Sequence, residues 1–366
     1  MQTRKLYITV HRLMFSVLNI LYAIMKDFLE KVRMAMFEVS QGVSIFMILF
    51  ATFMWGSWFQ CIKRLDNYPV SGFMLWMYTF SFGIVWIFIL LFGRFFLSEG
   101  ILESIRKNFN LALVVVVCGM LFAVGMQINM WVVGKIGIIL SVSITSSCNI
   151  IFGTFLSSKL GGLKGNISVP LLILAIICLI AASIICQTAG LRRKKDQGEK
   201  VKDAAINIKY IFLLVFSNIF FSSSYPIAMS VGVKTDINPS GFEPLLCVAL
   251  LSSGSLIGTW IYSSYLLTRN RQWKVTFRPK NKSGIVMAFI SAVCHYGGNI
   301  IHTLAIPQVS MAIAWPMGQS ANVWSYLWGL VYREFKGSSK KTYCLLAAGI
   351  LLFVVGVILL SINIYW

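Results

Sequence analysis

The residues best suited to chemistry are polar side chains set at helical spacing inside long apolar runs. Ser291, His295, Asn299 and His302 fall at i, i+4, i+8 and i+11, on one face of a helix. Trp315, Gln319, Asn322 and Tyr326 make a second helical stripe, Asn218, Ser222 and Tyr225 a third, and Ser141, Thr145 and Asn149 a fourth. Trp55, Ser57 and Trp58 cluster in the first apolar run. Polar groups are costly in hydrocarbon unless they face protein or water. Neutral donors and acceptors flanked by Trp and Tyr suit a polyhydroxylated or amide-rich small molecule. Hydroxyls pair with amides, and the apolar faces of a sugar ring stack on aromatics. Ser, Asn and Gln also bond one helix to another, and for a lone Ser or Thr that is the simpler reading.

Titratable groups are scarce in these runs. Only His295 and His302 lie well inside one, and Glu243, between Pro239 and Pro244, comes closest among the acids. A histidine carries a proton near neutral pH, so these three residues are the candidates for proton coupling. A neutral histidine hydrogen-bonded within a bundle fits equally. Two histidines without an acid or thiolate at suitable spacing are too few ligands for a metal site. The eight cysteines all fall in or beside apolar runs without a CxxC pair, and read as small packing residues. Gly161-Gly162 and Gly297-Gly298 do not fit the phosphate-loop pattern and read as places of close helix approach or helix breaks. No nucleophile can be assembled with a base and an orienting acid. The chain therefore reads as neither an enzyme nor a cofactor protein.

The elements that must position these residues are membrane spans. The chain is 58% hydrophobic and 12% charged, against roughly 25% charged residues in soluble domains. Ten runs of about 20 residues match the ~30 Å hydrocarbon core of a bilayer. There the backbone must satisfy its own polar groups, which selects helices. Spans are expected near 43–63, 72–93, 110–133, 136–157, 168–188, 210–230, 243–267, 284–304, 307–331 and 343–364. The net charge of +20 sits in loops, with no separate basic domain, which excludes nucleic-acid binding. Seven Lys or Arg lie in 189–209, six in 268–283 and four in 332–342. The positive-inside rule puts these loops in the cytoplasm. With ten spans, both termini then lie outside.

Residues 1–40 form an N-terminal amphipathic segment. His11 and Arg12 interrupt its apolar part, and no small-residue cleavage site follows. An extra span, or a translation start at Met34 or Met36, fits the same residues. Beyond it the chain looks duplicated. Ser71-Gly72-Phe73 matches Ser240-Gly241-Phe242, and Phe53, Ser57 and Trp58 match Phe220, Ser224 and Tyr225. Gly125, Ser147 and Asn149 match Gly298, Ser320 and Asn322 at one constant offset. The expected fold is therefore an all-α polytopic membrane protein of ten transmembrane helices in two inverted five-helix repeats. The first repeat spans 41–190, a basic cytoplasmic linker 191–209, and the second repeat 210–366. An odd number of spans per repeat forces the halves into opposite orientation, the arrangement of carriers that work by alternating access.

The run QSANVWSYLWGLVYREFKGSSKKT, from Gln319 to Thr342, and its following apolar span resemble the last two spans of sugar porters of the glucose/ribose and rhamnose–proton symporter type. These belong to the drug/metabolite transporter superfamily. FATFMWGSWFQCIKRLD, from Phe50 to Asp66, resembles the opening helix of the same group, near which ureide permeases also fall. The resemblance covers residues 36–366. It implies a ten-helix bundle with a central site, and it points to Trp55, Ser57, Trp58, Gln319 and Asn322. The sugar preference rests partly on it.

The expectation is a secondary carrier in the plasma membrane for a small polar solute, above all a sugar. Its partners are that solute and the lipid bilayer. Proton or sodium coupling and a homodimeric state are both compatible with the sequence. The substrate-binding residues expected are Trp55, Ser57, Trp58, Thr145, Asn149, Asn218, Ser222, Tyr225, Asn299, Trp315, Gln319 and Asn322. The alternatives are an exporter of metabolites or drugs and, more remotely, a membrane acyltransferase built on His295. A transferase histidine should pair with an acid near the interface, whereas a carrier histidine should line a central cavity.

Overall fold

The computed structural model describes residues 40–65, 67–136, 138–163, 167–198 and 208–365. The N-terminal segment lies outside the described residues apart from Ser40, as does the 199–207 part of the linker. The long apolar runs fold as helices: α1 (Gln41–Trp58), α2 (Val70–Phe96), α3 (Ile101–Lys107), α4 (Phe109–Ile136), α5 (Ile138–Leu160) and α6 (Val169–Asp196) in the first half. The second half holds α7 (Ile208–Ser217), α8 (Ser224–Gly232), α9 (Pro244–Arg269), α10 (Trp273–Phe277), α11 (Ser283–Val309), α12 (Met311–Gly318), α13 (Ala321–Val331) and α14 (Lys340–Tyr365). Among the described residues no strand forms, and Val233 and Phe242 make an isolated bridge.

Eight segments are long and apolar enough to cross a membrane. This is an all-helical, multi-pass membrane architecture. The expected spans 136–157 and 307–331 are not among the eight. Helix α5 falls in the first of them, diluted by Ser141, Ser143, Thr145, Ser146, Ser147 and Asn149. The second is broken. Helix α11 runs through Pro307 to Val309, Ser310 then takes φ 66 and ψ 154, and α12 and α13 follow as separate pieces. That backbone region strains any residue with a Cβ, so the chain turns there. The sixth expected span is interrupted too, by a π-helical turn over Asn218–Ser222 between α7 and α8. Pro226 has no N–H for the Ser222 carbonyl four residues earlier, and at the start of the turn Asn218 Nδ2 donates to the Leu214 carbonyl at 2.8 Å.

Helix α6 packs on α14, α9 on α4 and α2, and α11 on α1 and α2. Helix α4 also meets α7, the π turn and α8, while α1 meets α13. The α4–α9 contact is backbone to backbone: a Cβ on Gly254 would lie 1.9 Å from the Val116 carbonyl oxygen. Small residues allow such approach between membrane helices. Leu90, Leu91, Ile177 and Leu351 are exposed on the outside of the bundle, as a lipid-facing belt requires.

Candidate functional site

The helices enclose a cavity of about 460 Å³. Its wall collects residues from both halves of the chain. Trp55 and Trp58 come from α1, Thr145 and Asn149 from α5, Tyr225 from α8, His295 and Asn299 from α11, and Trp315 from α12. Gln319 and Asn322 line it from the break between α12 and α13 and from the start of α13. That break interrupts the Trp315–Gln319–Asn322–Tyr326 stripe, yet all four residues reach the cavity.

Trp55 organises the centre. Its indole N–H donates to Asn299 Oδ1 at 3.0 Å and to the His295 carbonyl at 3.2 Å. Gly298 makes this contact possible, because a Cβ there would lie 2.6 Å from the Trp55 ring. The indole also packs against His302 at 4.8 Å and, edge to face, Tyr225 at 6.1 Å between centroids. Tyr225 in turn lies 5.5 Å from Trp315, whose N–H donates to the Asn149 carbonyl at 2.7 Å. Asn322 Nδ2 donates to Ser146 Oγ at 3.1 Å. His295 is boxed by rings: Phe122 stacks on it at 6.0 Å, and Trp58, Tyr78 and Tyr296 meet it edge-on.

Five sequence candidates do not line the cavity. Ser57 Oγ donates to the Phe53 carbonyl and accepts from Trp328 Nε1, so it ties α1 to α13. Asn218 and Ser222 lie behind the wall, bonded to Asn129 Nδ2 at 3.1 and 3.0 Å. His302 is fully buried, its ring nitrogens facing the Tyr225 hydroxyl at 3.3 Å and the Ala314 carbonyl at 3.0 Å. Glu243 caps the start of α9 away from the cavity, accepting from Ser98 Oγ at 3.0 Å and pairing with Lys234 at 3.4 Å. Their helical faces follow from spacing, but which neighbour covers each face is a tertiary matter.

The sequence reading missed Asn129, Gln60, Gln187 and the charged end of the cavity. Lys63, Arg193, Lys194 and Glu334 line that end. Glu334 pairs with Lys63 at 2.5 Å and with Arg193 at 2.8 Å. Burial works to raise the Glu334 carboxyl, but the two cations outweigh it and hold it below its ordinary value. These residues sit at span ends, where basic side chains are expected for topology alone, so their type carried no signal.

Polar atoms of seven wall residues are buried without a hydrogen-bond partner: Gln60 Oε1, Asn129 Oδ1, Asn149 Oδ1, Arg193 Nε, His295 Nδ1, Asn299 Nδ2 and the Tyr326 hydroxyl. An unmet buried polar group costs about 1–3 kcal/mol, and these atoms are shielded from the cavity space by the packing around them. Among the described residues no three His, Cys, Asp or Glu groups come together to hold a metal.

No family model matches the chain, and no curated protein matches it. One solved chain, described only as "Crystal structure of protein", shares the fold with a TM-score of 0.58. It is 11% identical, over 87% of this chain and 96% of its own.

Proposed function

We propose that this chain is a secondary carrier of the cell membrane that moves a small neutral polyhydroxylated solute, a sugar, by alternating access. One observation carries the reading: amide and hydroxyl side chains from both halves of the chain converge with Trp and Tyr rings on one cavity. A volume of about 460 Å³ falls within the roughly 300–1,000 Å³ of small-molecule sites. The aromatic wall offers stacking faces for a sugar ring, and the amides and hydroxyls offer partners for its hydroxyl groups. The resemblance of the first and last spans to sugar porters of the drug/metabolite transporter superfamily points the same way.

The contact pattern supports ten spans in two inverted repeats. Helix α5 and the α12–α13 pair would bring the eight long segments to ten. Matching the halves in order pairs α1 with α7–α8, α2 with α9, α4 with α11 and α6 with α14. Under that matching, the contact of α1 with α11 mirrors that of α7–α8 with α4, and α2 with α11 mirrors α9 with α4. The α6–α14 and α2–α9 contacts map onto themselves. With the basic loops in the cytoplasm, the Lys63–Glu334–Arg193 end of the cavity faces inward.

The test is uptake into proteoliposomes of a labelled panel of pentoses, hexoses and deoxyhexoses, with and without an inward cation gradient. Accumulation of one sugar, abolished by Asn322→Ala, is the expected result. No uptake of any sugar by folded protein would sink the sugar reading. It would favour efflux of an amphipathic metabolite, for which Met126, Met130, Phe122 and Phe335 in the wall would serve.

A further inference from the structure

Uncompensated positive charge gathers on the connection between α9 and α11, far from the cavity residues in sequence. Residues 268–283 hold Arg269, Arg271, Lys274, Arg278, Lys280 and Lys282 and no acid. All six cations are exposed, and none forms an ion pair with a described acid. At the charged end of the cavity, by contrast, Lys63 and Arg193 share Glu334. Lys282 takes the N-cap position of α11, whose first turn also lacks an acid. A helix N-terminus already carries partial positive charge. Like charge therefore meets like charge there, and an anion from outside the chain relieves both.

The fold holds this surface in place. The Thr276 carbonyl of α10 accepts from the Tyr68 hydroxyl at 2.8 Å and from Trp76 Nε1 of α2 at 3.3 Å. Thr276 is fully buried, and Gly72 leaves room for it, since a Cβ there would lie 2.7 Å from Thr276 Oγ1. Val275 and Phe277, on either side of Thr276, stay exposed.

An apolar path leads from Phe277 along the outside of the bundle. Trp273 stacks on Phe277 at 5.8 Å, and Phe277 lies 5.3 Å from Trp76. Trp76 stacks on Phe80 at 5.5 Å, and Phe80 meets Phe289 of α11 edge-on at 5.5 Å. Val286, Phe289, Ile290 and Val293 fall at i, i+3, i+4 and i+7 on one face of α11, and each is 40–49% exposed. That face extends about 10 Å away from the cations, at 1.5 Å of rise per residue.

We infer that the α9–α11 connection is a binding site for an anionic phospholipid. Its phosphate headgroup sits at Lys274, Arg278, Lys280 and Lys282, and an acyl chain lies along the Phe277–Phe80–Phe289 face. Basic residues at a membrane surface attract anionic headgroups. The adjoining apolar face selects a lipid over a free phosphate, which could use the cations alone. The site stands on α2, α10 and α11 and is independent of what the cavity carries.

The experiment measures Tm of the purified full-length protein in neutral detergent, titrated with phosphatidylglycerol or phosphatidylcholine at equal lipid-to-detergent ratios. Phosphatidylglycerol should raise Tm saturably by roughly 2–5 °C more than phosphatidylcholine. The excess should fade between about 0.1 and 1 M salt, as the Debye length shrinks from about 10 to 3 Å. The triple variant Lys274→Gln, Arg278→Gln, Lys280→Gln should lose the excess. The control triple Lys336→Gln, Lys340→Gln, Lys341→Gln removes three exposed cations around the α13–α14 turn and should keep it. Glycerol phosphate, the headgroup without chains, should give no comparable rise. Equal Tm values in the two lipids would overturn the site, as would an excess that the Lys274 triple keeps. Equal loss in both triples would reduce the effect to overall charge and overturn it too. A full rise with glycerol phosphate alone would replace the lipid with a free phosphate ester.

Discussion

The clusters around Asn129 and around His302 are built on similar close approaches and are filled with different chemistry. Each residue lies four positions after a glycine that lets a neighbouring segment approach. A Cβ on Gly125 would lie 2.6 Å from Phe221 Cβ, and one on Gly298 would lie 2.6 Å from the Trp55 ring. In the first half the contact is lined by amides and hydroxyls that bond one another. In the second it is lined by Trp55 and Tyr225 packed on an imidazole. A small residue thus sets where two segments meet, and side-chain choice decides how the meeting place is bonded. One cluster is closed by amide and hydroxyl hydrogen bonds, the other by packed rings.

The comparison breaks most sharply at the glycines. Gly298→Leu and Gly125→Leu should each destabilise the protein, by about 1–3 kcal/mol or more, read as a lower Tm. Gly298→Leu should also abolish sugar-dependent tryptophan fluorescence, because it displaces Trp55. If either substitution leaves Tm unchanged, the two approaches are not equivalent and the comparison fails.

Trp55→Phe sharpens the aromatic side of the comparison. It keeps the ring but removes the N–H held by Asn299 and the His295 carbonyl. Leaving buried acceptors unmet costs about 1–3 kcal/mol, so sugar affinity should fall about tenfold or more. Ser57→Ala removes only the hydroxyl that joins α1 to α13. Its expected effect is a Tm loss of about 1 kcal/mol in stability with sugar affinity unchanged. A large loss of affinity from Ser57→Ala would place that residue in the site after all.

The smallest effect concerns the charged end of the cavity. The Glu334 carboxyl is held below its ordinary value, so its ionised form is favoured in the folded protein. Its contribution is present above the unfolded carboxyl value of about 4.3 and is lost as pH falls through the lower folded value. The group is part-exposed, so the effect should stay within about 1 kcal/mol. Tm measured from pH 6 down to pH 3 should fall more for the wild type than for Glu334→Gln. Parallel curves would show that the Lys63–Glu334–Arg193 group contributes no pH-dependent stability.

Much of this arrangement was legible from periodicity. Apolar runs of membrane length mark the long helices, and helical spacing selected His295, Asn299, Trp315, Gln319 and Asn322, all of which reach the cavity. Two kinds of residue were not legible. His302, Asn218 and Ser222 share polar faces with cavity residues, yet Tyr225 and Asn129 cover them. Asn129 itself sits in an apolar run with no polar stripe around it. Its importance comes from α7 and α5 closing on it.

The sequence by itself determined that this chain is a helical membrane protein. Hydrocarbon leaves the backbone no other way to satisfy its polar groups, and run length needs no tertiary information. It also determined that the polar residues inside those runs are few, neutral and grouped with aromatics. Only the tertiary structure decided which of them share a cavity and which bond one another behind its wall. That depends on where glycines let helices touch, and on where Ser310 and the Asn218–Ser222 turn redirect the chain. The glycine contacts join segments far apart in sequence, and the two turns set which of those segments can meet.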